Sequence, residues 1–535
     1  MISFKHPNLF RPNSRPASPN PPSRPESGTV LERTSRPLNK LSFSGFKRPS
    51  SLMSVSSPPP TLLVQDGSYL EALSLKLSEA VSKALAQPAG PASVGELVGG
   101  RRPIPPGRGQ VLGLLISSEL KACRNNLHLH KAILRSLHRP LSVLLSNLSA
   151  LILPLLSSPA FLSSPPPTVQ APNPTATQLH ALAAAGFAGE LLDSFDEIGL
   201  GLDNDARGDG LKAIREGLVS LIGRVVNPLI AGIKSELMPL LESLEKPVAV
   251  TAPKTGTKVI LHPSIISLQS LMPVYTRALV RYTTALSSQT TLATFLISVI
   301  WRALVAFANR PQVTVSPSTS PLGSPQLTSA TKRQRATSGN APPATQTPTR
   351  FTLKLPPSRP PSRPSSPPSI QVTSSAAADA RALHDLMVLL PRPPAGRDAT
   401  RVAREAVDEA FSDLNALVSL LESIENPLFR IGKSREQVLE EIETLTADLS
   451  TLIALPVLLR GYSGVTIESL SIPPISSIIN VSEDEYRKTC LSGFGRAEQC
   501  SSIVGHSVLD FLRAKGGFQS LAEQWLANRV DAIDH

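Results

Sequence analysis

The chain has 535 residues, with 53 Lys and Arg against 41 Asp and Glu, a net charge of +12, and only 4% aromatic residues. Three cysteines in this length exclude a disulfide framework, and the Cys490–Cys500 spacing fits no common zinc pattern. The positive charge is not spread evenly: residues 1–65 carry 12 Pro and +7, residues 310–375 carry 14 Pro and +8, and all other residues together carry −3.

Residues 1–65 therefore read as a basic, disordered Pro/Ser-rich arm, too poor in apolar side chains to pack. The first residues have no apolar core, so they are not a secretory signal. They are acid-free until Glu26, as in a transit peptide, but prolines at 7, 12, 16 and 19 oppose the amphipathic helix such a peptide needs.

Residues 66–309 read as the first helical domain. Leu70, Leu73, Leu77, Ala80, Val81 and Ala84 follow the helical period and predict a helix over 69–87, stopped by Pro88. A second helical region is expected over 111–156, cut at Pro140 and kinked at Pro154. Thr175 is placed to cap a helix over 175–198. After a polar turn over 199–210, the stripe Leu211, Ile214, Leu218, Leu221, Ile222, Val225 and Leu229 predicts a helix over 211–244, broken at Pro228 and Pro239. Residues 246–262 read as a loop, and 263–309 as one or two helices. The stretch 292–308 is apolar nearly all round, which marks it as central. Two uncharged runs, 141–162 and 282–301, are interrupted by Ser, Thr, Asn, Gln or Pro and are expected to be buried helices rather than membrane spans.

Residues 310–375 form the second basic arm. Beyond it lies a second helical domain, residues 376–535, expected to contain helices over 376–390, 399–425 and 434–459. Ser482 and Glu485 open the last helices as a capping box, and Gly493 and Gly495 interrupt them. No sustained alternating β-branched run occurs, so the fold class is all-α: a multi-helix bundle or irregular repeat-like body. The pattern Leu-Leu-acid-Ser-apolar-acid starts at 191, 240 and 420. No longer alignment surrounds the copies, which favours coincidence over a repeat architecture.

Catalytic patterns are absent. Gly432-Lys433-Ser434 lacks the upstream glycine of a phosphate loop, Pro427 standing there instead, and reads as a loop with a helix cap at Ser434. Asp203, Asp205 and Asp209 resemble a calcium loop but have Arg207 and Ile214 where ligands are needed. Gly505-His506-Ser507 lacks the second glycine and the strand of a nucleophile elbow. His128 and His130 sit two apart and diverge on a helix. No cofactor, metal or small-molecule substrate is expected. The run 490–500 reads as a helix–helix turn with Phe494 tucked into the core.

The arms carry the functional lead. Pro19, Pro22 and Arg24 match one orientation of polyproline ligand, and Lys354, Pro357 and Pro360 match the other. Ser18, Ser57, Ser320, Ser324, Thr347 and Ser366 precede prolines and are candidate phosphosites, each phosphate adding about −1.5 to −2 charges. Ser-Arg-Pro-x-Ser occurs four times, from Ser14, Ser23, Ser358 and Ser362. Lys332-Arg333-Gln334-Arg335 is a short basic patch compatible with nuclear import. The expectation is a non-enzymatic, cytoplasmic interaction protein or scaffold whose partners are proteins with polyproline-binding grooves. The alternative is a peripheral membrane or trafficking factor using its arms on acidic lipid; a second alternative is an enzyme whose site is not visible in sequence. A deep pocket with converging titratable groups would favour the enzyme. The body's −3 argues against a basic docking face and specific nucleic-acid binding.

Overall fold

The computed structural model describes residues 61–93, 95–163, 166–202, 211–247, 249–251, 260–311, 371–462, 473–514 and 520–534. The fold is all-α. In chain order the helices are α1 (Thr61–Leu85), α2 (Arg108–Ala122), α3 (Leu127–Leu156), α4 (Pro159–Leu162), α5 (Ala176–Ile198), α6 (Leu211–Ser243), α7 (Pro263–Tyr282), α8 (Gln289–Asn309), α9 (Ala376–Val388), α10 (Asp398–Glu425), α11 (Arg435–Thr446), α12 (Thr451–Tyr462), α13 (Ile475–Ile478), α14 (Glu483–Thr489), α15 (Phe494–Ala514) and α16 (Leu521–Asp534). Two three-residue strands, β1 (Ala249–Thr251) and β2 (Gln371–Thr373), pair antiparallel with Val250 opposite Val372. Neither strand was expected, because three residues give no alternation to read.

The centre is α8. Leu296, Val299, Ile300, Ala303, Leu304, Phe307 and Ala308 are wholly buried, and α6, α10 and α12 pack around them. One contiguous core joins helices from both sides of residues 312–370. Trp301 donates its indole N–H to Leu491 O at 2.7 Å and packs against Phe494 with ring centroids 4.6 Å apart and the planes tilted by 55°, which fixes the 490–500 turn onto α8. Arg487 grips Glu245 with two hydrogen bonds, at 2.8 and 2.5 Å, joining α14 to the end of α6.

Several predicted boundaries move. The helix expected over 111–156 is two, divided at Cys123–Asn126, with Asn126 capping Leu129 N. Prolines 140 and 154 do not interrupt α3, nor do 228 and 239 break α6. An internal proline costs about 3 kcal/mol. Against it, α3 buries Ile133, Leu134, Leu137, Leu141, Leu144, Leu148 and Ile152, each worth about 1.5–3 kcal/mol, so packing wins. Helix α1 starts at Thr61, inside the stretch read as an arm, and α15 runs through Gly495. Thr175 and Ser434 form reciprocal capping boxes with Gln178 and Gln437. Ser482 receives Glu485 N at 3.2 Å.

Helices α3 and α6 and the stretch 286–309 are long and apolar enough to cross a membrane. Their burial differs. In the 286–309 stretch 72% of the most apolar window is buried, as expected for 282–301, whereas in α3 only 28% is. The expectation that 141–162 is simply a buried helix is therefore corrected: one side packs, and the other faces solvent with Val143, Leu153 and Leu162 exposed.

Candidate functional site: an acidic cavity between α10 and α16

Helix α10 places Ala406, Glu409, Ala410 and Asp413 on one face, at spacings of three, four and seven residues. Helix α15 presents Phe494, Glu498 and Ser501 at the same kind of spacing. Between these faces, the turn from α11 to α12 brings Asp448 and Ser450, α8 adds Ile297, and α16 adds Arg529 and Ala532. Together they line a cavity of about 550 Å3. Trp525, which is 1% exposed, donates to Thr446 Oγ1 at 2.9 Å and ties α16 to the end of α11.

Four carboxylates, Glu409, Asp413, Asp448 and Glu498, share this cavity. Among the described residues none forms an ion pair. Arg529 is the one cation in the lining, and its guanidinium is engaged elsewhere: with Ala447 O at 3.2 Å, Leu449 O at 3.0 Å and Thr451 Oγ1 at 3.4 Å. It holds the turn that presents Asp448.

Asp413 is the unusual member. It is only 5% exposed and its side chain has no hydrogen-bond partner among the described residues. Burial, and then the negative charges of Glu409, Asp448 and Glu498, push its pKa up to about 7. The hydroxyl of Ser450 is buried in the same wall without a partner. Phe494, Ile297, Ala406, Ala410 and Leu449 complete the lining as an apolar surface. A ligand suited to it has a positive, hydrogen-bond-donating head and an apolar stem. The lining contains no His, Cys or Lys, and among the described residues no group of His, Cys, Asp or Glu converges to hold a metal ion.

A second buried polar cluster is fully satisfied. Arg310 pairs with Asp379 at 2.7 Å and donates to Ser374 Oγ at 2.8 Å and Ser374 O at 3.1 Å. The other Asp379 oxygen receives His262 N at 2.7 Å. His262 Nδ1 accepts from Ser264 N at 3.2 Å and Nε2 contacts Lys246 O at 3.2 Å. Burial, then the charge of Arg310, pushes the His262 pKa down. Composition assigns Arg310 and Ser374 to the basic arm, yet both are buried here. The cluster is a clasp, with every polar group occupied.

The remaining sequence candidates divide cleanly. Gly432-Lys433-Ser434 is a loop and cap: Gly432 has φ 78°, and Lys433 pairs with Glu441 and lies 4.4 Å over the Phe429 ring. Pro19, Pro22, Arg24, Lys354, Pro357 and Pro360 lie outside the described residues, as do Ser18, Ser57, Ser320, Ser324, Thr347, Ser366, Asp203, Asp205 and Asp209. The acidic cavity itself escaped sequence reading. Its carboxylates come from three separate stretches, and the available signal was Asp413 falling on the same helical face as the buried stripe Val407, Ala410, Phe411, Leu414 and Leu417 of α10. No protein-family model, no curated protein and no solved structure matches the chain.

Proposed function

We propose that this protein is a non-enzymatic interaction protein whose helical body receives a cationic side chain of a protein partner in the acidic cavity. The observation that carries the reading is Asp413, a residue only 5% exposed whose carboxyl has no partner among the described residues, beside three exposed carboxylates that form no ion pair there. An isolated buried carboxylate is costly, and a guanidinium offers Asp413 a planar set of donors and a positive charge that the exposed carboxylates beside it favour. The apolar wall, which includes Phe494, suits the methylene stem of arginine. The proline-rich segments add ligands for polyproline-binding grooves, tuned by phosphorylation of the Ser/Thr-Pro sites.

Titration of the intact chain with an arginine-containing peptide tests this. A peptide with arginine is expected to bind about ten-fold or more tightly than its citrulline counterpart, because charge-assisted hydrogen bonds are worth about 1.5–3 kcal/mol. Equal affinity of the two peptides sinks the reading.

The enzyme reading is favoured by one observation, the Asp413 carboxyl held near neutrality, as a general acid requires. It ranks second because no lining residue forms a hydrogen-bonded nucleophile–base pair.

A further inference from the structure

The body's net charge hides a strong local one. From residue 120 to residue 189 the sequence contains five Lys and Arg and no Asp or Glu. All five are exposed, on the last turn of α2, the turn that follows it and α3: Lys121, Arg124, Lys131, Arg135 and Arg139. At 100° per residue, Lys131, Arg135, His138 and Arg139 lie within one quarter-turn or so of the α3 circumference. Among the described residues no carboxylate lies within 4.0 Å of any of the five.

The same face changes character along the helix. Past Arg139 it carries Ser142, Val143, Ser146, Ser149, Ala150 and Leu153, without a charge, over a further distance of about 20 Å. It then meets two apolar grooves between α3, α4 and α6. One, of about 150 Å3, is lined by Leu145, Ile152, Leu153 and Leu221; the other, of about 540 Å3, by Leu156, Phe161, Leu162 and Pro228. Arg224, exposed and without an acid partner among the described residues, borders both. Leu127 and Leu162 are each 68% exposed.

We propose that this face of α3, with the Lys121–Arg124 corner and the α4 edge, is a docking surface for an anionic lipid bilayer. The unopposed cations match a layer of acidic headgroups. The uncharged half and its exposed leucines match the boundary between headgroups and acyl chains, into which an interfacial helix sinks its apolar side chains. Nucleic acid fits less well, because the strip presents no exposed Phe, Tyr or Trp on which bases stack. An acidic protein would satisfy the cations but leave Val143, Leu153 and Leu162 unexplained. This inference is independent of the acidic cavity, which shares no residue with it.

Flotation of the full chain with phosphatidylserine/phosphatidylcholine vesicles, and with phosphatidylcholine alone, tests it. Binding is expected only to the anionic vesicles. Each cation near the surface contributes about five-fold in partition coefficient. The combined Lys131→Ala, Arg135→Ala, Arg139→Ala variant is therefore expected to lose roughly 100-fold, while Lys131→Arg, Arg135→Lys, Arg139→Lys binds as the parent does. Leu153→Ser with Leu162→Ser is expected to weaken binding at every salt concentration. A control with Arg24, Lys354, Arg359 and Arg363 changed to Ala lowers the arms from +15 to +11 and measures what each arm charge adds to binding. The proposal fails if the intact chain ignores both vesicle types, or if the α3 alanine variant binds anionic vesicles unchanged. It also fails if RNA or poly-glutamate displaces the vesicles through the same three residues while the leucine variant is unaffected.

Discussion

At the scale of single residues, Asp413 links the cavity to stability. Below its unfolded value of 3.8 the carboxyl is neutral in both states. As pH rises from 3.8 to about 7 the unfolded chain ionises it and the folded chain does not, so folding stability falls across that window. Asp413→Asn is expected to match the parent near pH 4 and to exceed it above pH 7. A gain of about 1–3 kcal/mol is expected there, the linkage gain being offset in part by burying an unpaired amide. Urea denaturation at the two pH values measures the difference. The clasp behaves in the opposite manner. Removing one partner of a buried pair strands the other, so Asp379→Ala is expected to cost about 3–5 kcal/mol. Arg381→Ala, which breaks the half-exposed pair with Glu422 at 2.9 Å, is expected to cost less than about 1 kcal/mol. Equal costs would show that the clasp is not buried as described.

At the scale of elements, α2 and α5 show why small residues matter. Glu190 on α5 accepts Gly107 N at 2.7 Å and Gly109 N at 2.9 Å, placing a carboxylate on the free N–H groups that open α2. That contact requires the helices to be close. A Cβ on Gly109 would lie 2.3 Å from Phe187 O, and one on Gly113 would lie 2.1 Å from Ser194 Oγ. Gly109→Ala is expected to destabilise by about 1–3 kcal/mol, as overpacking does. Gly186→Ala, on α5 but with nothing within 4 Å, is expected to stabilise by about 0.5–1 kcal/mol. Thermal unfolding of the pair checks the contrast; a stabilising Gly109→Ala would contradict the close approach.

Helical periodicity made α1, α5, α6, α8 and α10 legible, because each repeats an apolar stripe against one core, whereas the single helix expected over 434–459 is two, α11 and α12, divided at residues 447–450. The prolines misled for a physical reason: a local penalty is visible in sequence, while the tertiary burial that outweighs it in α3 and α6 is not. The Leu-Leu-acid-Ser-apolar-acid pattern was readable but not interpretable. In the structure its three copies close α5, α6 and α10, and the first acid of each meets an arginine from elsewhere: Asp193 with Arg397 at 3.8 Å, Glu242 with Arg302 at 2.5 Å, and Glu422 with Arg381. The pattern marks a helix end, and no sequence spacing announces which arginine will arrive. The acidic cavity was illegible for the same reason, since it assembles from α8, α10, α15, α16 and the turn before α12.

At the scale of the molecule, charge is sorted rather than balanced. The body sums to −3 by composition, yet places unopposed cations on α3 and unopposed carboxylates at α10 and α15. Summing charge over a body discards this arrangement, which is why a basic docking face was not expected. The core is shared across residues 312–370, because α8 packs on both α10 and α12. A specific protease site introduced near Ser320 is therefore expected to yield two fragments that co-elute on size-exclusion chromatography. Separation of the fragments without denaturant would contradict a shared core.

The cavity's role is tested most directly by the protons that move when it is filled. A cation beside Asp413 favours its ionised form and lowers its pKa from about 7. Calorimetric titration of the intact chain with an arginine-containing peptide, in two buffers of different ionisation enthalpy, counts the protons released. Near pH 7 the account predicts release of up to about half a proton per peptide bound, vanishing at high pH and in Asp413→Asn. Binding with no proton release, or with the same release from the Asn variant, would contradict it.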